Sequence, residues 1–143
     1  MIVMETLGQL ARWADGIVTE WKKLKVPLNP GTTRHEIRNV ENLVGFTFPP
    51  AFHVLYRKAN GHNDFMTLPG SYSVLPIEWI VEEYIKDDDK DFIPFADYMI
   101  RCWQIGFRKN EPGIFRNIDQ RRPVATDFAQ AIDFINADDD RLY

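Results

Sequence analysis

Glu41 is the residue whose type and setting most invite chemistry. It follows Ile37 by four positions in the run IRNVENLVG, so on a helix its carboxylate lies beside the apolar stripe. Desolvation there would raise its pKa and suit it to general-base or partner-binding work. A structural role is favoured, because a buried carboxylate that accepts no backbone N–H bonds is costly. Those donors would come from the proline-started helix that follows or from the Asn60-Gly61 turn. The second candidate is the acidic run Glu82, Glu83, Asp87, Asp88, Asp89 and Asp91, the densest charge on the chain. An EF-hand opening at Asp87 fails, because Phe92 stands where the loop needs Gly and Tyr98 where it needs Glu. The run reads either as a solvated helix end or as a docking surface that steers a basic partner.

Other reactive side chains are scattered. His35, His53 and His62 form no HxxxH or HExxH pattern and have no cysteine at ligand spacing, so no metal site is expected. Ser71 and Ser73 lack a GxSxG setting, and no phosphate-cradling GxGxxG or GK[ST] occurs. Cys102 is the single cysteine, which rules out an intramolecular disulfide; its apolar neighbours Ile100, Trp103 and Ile105 suggest an inert core thiol. An enzyme would have to combine Glu41 or the acidic run with His62 and Asp64 in one cleft.

The elements that must position these residues follow from periodicity. From Glu5 to Lys25, Leu7, Leu10, Ala14, Ile17, Trp21 and Leu24 share one helical stripe. Pro27–Gly31 reads as a loop. Thr33 and Glu36 form a capping box, Ile37, Val40 and Val44 face a core, and Gly45 supplies a left-handed stop. Pro49-Pro50 can begin a helix that carries Phe52, Leu55, Tyr56 and Ala59 on one face, with Asn60-Gly61 expected to close it. Strands are predicted at Phe65–Leu68, Tyr72–Leu75, Phe92–Phe95, Cys102–Phe107, Ile114–Ile118 and Pro123–Ala125. A helix interrupts them at Ile77–Ile85. A last helix starts at the N-cap Asp127 and buries Phe128, Ala131, Ile132 and Ile135, and Asp138–Asp140 should fray.

Composition sets the frame. The 143 residues carry 45% hydrophobic and 13% aromatic side chains, enough for one folded domain with its own core. A net charge of −4 offers no footprint for a phosphate backbone, and Lys22-Lys23, Arg116, Arg121 and Arg122 form only brief basic clusters. Trp13, Trp21, Trp79 and Trp103 then read as packing residues rather than a base-stacking platform. The N-terminus lacks the pattern of a signal peptide, and no apolar run is long enough to span a membrane, so a cytoplasmic protein is expected. Helices first and clustered strands later predict an α+β fold: one domain over 1–143, with a mostly antiparallel sheet of about five or six strands and helices mainly on one face.

Ile37, Glu41, Gly45, Pro49, Pro50, Phe52, Leu55, Asn60 and Gly61 together resemble the core motif of the SUKH superfamily, which includes bacterial immunity proteins and a fungal cell-wall-synthesis regulator. Val74-Leu75-Pro76 and Pro123-Val124-Ala125, with Phe128 and Phe134-Ile135, are similar to its later elements. The likeness covers 33–136, leaving 1–30 as an N-terminal helix and loop. His62 stands where the family usually places a small residue after Asn-Gly. The resemblance implies a non-catalytic binding protein without a cofactor, most simply an immunity protein that neutralises a cognate toxin. A regulatory or scaffolding module is the alternative, and a small carboxylate-using hydrolase comes third. The expected partner is a protein, neither nucleic acid nor membrane, bound by a monomer or weak homodimer through Glu82–Asp91.

Overall fold

A computed structural model describes residues 6–143; the start of the predicted first helix at Glu5 lies outside them. Helix α1 (Leu7–Lys23) is started by a capping box in which Thr6 and Gln9 satisfy each other's backbone N–H. It buries Leu10, Ala14, Ile17, Val18 and Trp21 and packs mainly on α3. Strand β1 (Leu28–Pro30) falls where a loop was predicted. A proline is tolerated there because β1 is an edge strand and needs no N–H on its open side.

Helix α2 (Arg34–Val44) begins with the Thr33–Glu36 capping box and ends at Gly45, whose φ of 69° only glycine adopts cheaply. Helix α3 (Pro50–Lys58) follows, with Pro50 at the position where a missing N–H costs nothing. Its Phe52 stacks between Phe48 and Tyr56, with ring centroids 3.9 and 4.0 Å apart. Phe95, Phe107 and Phe128 complete an aromatic centre around them.

The chain leaves α3 directly into strand β2 (Ala59–His62), so Asn60-Gly61 does not close the helix as predicted. β2 pairs antiparallel with β1. Strand β3 (Tyr72–Val74), β4 (Phe92–Tyr98), β5 (Trp103–Arg108) and β6 (Glu111–Arg116) form the main sheet in that order, all antiparallel. That sheet has four strands, fewer than expected, because two strands form a separate pair. Pro94 sits in a central strand, but a register shift between Pro94 and Ala96 absorbs its missing donor. Helix α4 (Ile77–Lys86) packs on β4, and α5 (Phe128–Ala137) contacts α3 and β6.

Two predicted strands do not form. In Phe65–Leu68, Met66 takes a left-handed φ of 55° and Phe65 stacks on Trp79 instead. In Pro123–Ala125 only Ala125 bridges Ile114, since Pro123 has no N–H to extend the ladder. The tail does not fray either. Asp138 caps α5 in left-handed conformation, Asp139 starts a 3-10 turn at Asp140–Leu142, and Leu142 is fully buried. No described helix is long and apolar enough to cross a membrane.

Candidate partner-binding surface

The polar motif residues between Ile37 and Gly61 point inward. Glu41 Oε2 accepts the Phe48 N–H at 2.7 Å, tying the chain entering α3 back onto α2. His53 Nε2 lies 3.0 Å from the same oxygen. A charged acceptor for a backbone donor contributes about 1.5–3 kcal/mol. Asn60 acts across the fold: its Oδ1 accepts the Ile77 N–H at 2.9 Å, and its Nδ2 donates to the Glu78 carboxylate at 3.0 Å. Pro76 precedes α4 and supplies no capping side chain, so Asn60 does that work from β2. Gly61 lies against the same junction. Its φ is 65°, and a Cβ there would sit 2.5 Å from the Pro76 nitrogen.

His62 is fully buried. Its Nδ1 accepts the Val74 N–H at 3.1 Å, and its ring meets Trp21 edge-on at 4.6 Å. Burial lowers its pKa to about 3, so it stays neutral. The larger residue after Asn-Gly is thus matched by α1, which brings Trp21 across; Trp21 Nε1 also donates to Asn136 at 2.7 Å.

The acidic run is not one cluster. Glu83 pairs with Arg101 at 2.9 Å. Asp87 accepts the Asp89 N–H, Asp89 accepts the Asp91 N–H, and Asp89 also faces Arg108 at 3.6 Å. These bonds shape the turn from α4 into β4. Lys90 closes the helix end, its Nζ donating to the carbonyls of Tyr84, Ile85 and Asp87. Glu82, Asp88 and Asp91 are exposed, and their carboxylates have no hydrogen bond or ion pair among the described residues.

Residues that the sequence reading missed stand beside this segment. The hairpin joining β4 to β5 turns on Met99, Ile100 and Arg101, all left-handed, with φ of 48°, 53° and 67°. For a β-branched residue such as Ile100 that conformation costs of order 1–2 kcal/mol. Buried Asp97 holds the turn by accepting the Arg101 N–H at 2.9 Å, and Met99 N–H donates to Ser71 at 3.1 Å. Burial pushes the Asp97 carboxyl above its ordinary pKa, and the Arg101 N–H pulls against that. Met99 is 42% and Ile100 55% exposed, while Ile118, just past β6 at the same end of the sheet, is 59% exposed. Cys102 is exposed on this tip, contrary to the core position predicted, because the turn directs it outward. A groove of about 220 Å³ runs between the tip and α4, lined by Glu83, Lys86, Asp87, Arg101, Gln104 and Asn117. Nothing in MIRC marks a turn, since it holds no Gly, Pro, Asn or Asp; Asp97, two residues earlier, was the one available signal.

Glu41, His62 and Asp64 have separate partners. Glu41 and His53 share a contact, but His62 is buried beside Trp21 and Asp64 accepts the N–H of Phe65. His35 sits exposed on α2 near Asn39. No group of three or more His, Cys, Asp or Glu side chains among the described residues is placed to hold a metal ion.

No curated protein matches the chain. Residues 31–133 match the SMI1 / KNR4 family (SUKH-1), a span running from the end of β1 into α5 and containing both the inward-facing motif and the hairpin end. With well over half its length matched, the chain belongs to the SMI1 / KNR4 (SUKH-1) family.

Proposed function

We propose that this chain is a non-catalytic binding protein that neutralises a cognate bacterial toxin by direct contact in the cytoplasm. One observation carries the reading. The polar side chains of the family motif are engaged inside the fold, whereas Glu82, Asp88 and Asp91 stand exposed without partners among the described residues. Free carboxylates on α4 and on the turn that leads from it into β4 suit recognition of basic side chains, and toxins that cleave nucleic acid carry positive charge to hold their substrate. No cofactor enters this reading, and a monomer is sufficient for it.

Co-expression with the cognate toxin, sought among the neighbouring genes, tests the proposal. Growth should be rescued, and the two proteins should purify as a complex. Killing that continues, with no complex formed, contradicts it. A gene neighbourhood without a toxin would favour the alternative, a regulatory or scaffolding module using the same surface.

A further inference from the structure

Met99 and Ile100, two exposed apolar side chains near the acidic segment, sit on the turn that joins β4 to β5. Asp97, Ser71 and the Arg101–Glu83 pair hold the Met99–Arg101 turn in a strained shape from three directions. Such a turn presents Met99 and Ile100 without further ordering when something binds. Ile118 lies two strands away, at roughly 10 Å by ordinary strand spacing.

We propose that Met99, Ile100 and Ile118 form the apolar centre of the protein contact, filling an apolar depression in a partner whose basic side chains reach Glu82 and Asp88. This rests on the binding role proposed above and adds the centre of the interface and the chemistry of its occupant. Protein contacts concentrate affinity in a small desolvated centre and leave charges at the rim, which is the arrangement here. The charge pattern selects the occupant. A second copy placed on the tip about a two-fold axis would bring Glu82 and Asp88 towards their own equivalents. Nucleic acid and anionic lipid would meet the same repulsion.

The probe is the cognate toxin domain identified by the co-expression test above, catalytically disabled and titrated against the full chain. Ile100→Asp and Ile118→Asp should each raise Kd by about 100-fold, chiefly through faster dissociation. Aspartate tolerates left-handed backbone better than isoleucine, so Ile100→Asp should fold at least as well. Leu43→Asp, at a site 67% exposed on α2, should bind as the native chain does. Alkylation of Cys102, the only cysteine, should slow by about tenfold in the complex. Native binding with both tip variants within about threefold, or with Cys102 alkylating at its free rate, overturns the inference and leaves the binding role standing. Absence of native binding overturns both. Self-association abolished by Ile100→Asp would assign the tip to a second copy and also overturn it.

Discussion

The segment from Ile37 to Gly61 and the sheet end bearing Glu82–Asp88 and Met99–Cys102 use polar groups in opposite ways. In the first, Glu41 bonds the Phe48 N–H, Asn60 caps α4, and Gly61 fits against Pro76. In the second, Glu82 and Asp88 stay unpaired among the described residues, and Ile100 and Ile118 face outward. The motif residues are therefore engaged in building the fold, and under the proposed binding role recognition falls to a region outside them.

The sharpest way to break this contrast is Gly61→Ala. A methyl group would meet the Leu75–Pro76 backbone in a left-handed position, and we expect a loss of about 3–4 kcal/mol in urea unfolding. Stability within about 1 kcal/mol of native would mean that the junction is not fixed.

Acid provides the next largest effect. The folded pKa of His62, about 3, lies below the unfolded value of about 6.5. The unfolded chain therefore takes up a proton that the folded chain refuses. This contribution is complete above about pH 6.5 and lost at about 1.4 kcal/mol per pH unit as pH falls towards 3. Unfolding curves at pH 7 and 4.5 should show it, and His62→Gln should flatten the slope. An unchanged slope would show His62 to be reachable by solvent.

Glu41→Gln keeps an acceptor for Phe48 but loses its charge, and about 1–2 kcal/mol should follow in thermal unfolding. Unchanged thermal stability would remove the structural role. The smallest stability effect belongs to the other region. Reversing Glu82, Asp88 and Asp91 to Lys should change stability by no more than about 0.5 kcal/mol. It should nonetheless slow toxin association and remove the native loss of on-rate with added salt. Asp87 and Asp89 are poorer test sites, because their carboxylates hold the turn into β4.

Much of the scaffold was legible because it depends on local rules. The Thr33–Glu36 box, the Gly45 stop and the Pro50 start each act within a few residues. What escaped acts at a distance. Asn60-Gly61 reads locally as a helix end, yet its partners are Leu75, Pro76, Ile77 and Glu78. β1 exists only because β2 pairs with it. The hairpin tip was invisible for another reason: its shape is imposed by Asp97 and Ser71 against the preference of Met99 and Ile100. The acidic residues were legible as charge, but their division into turn-holding and free carboxylates needed the fold.

Hydrogen exchange of the chain, alone and bound to the cognate toxin of the proposed function, tests the central claim most directly. Protection is predicted at residues 82–91 and 99–102, with α2 and α3 exchanging as in the free protein. Protection confined to residues 34–58, with the sheet end unchanged, would contradict the account.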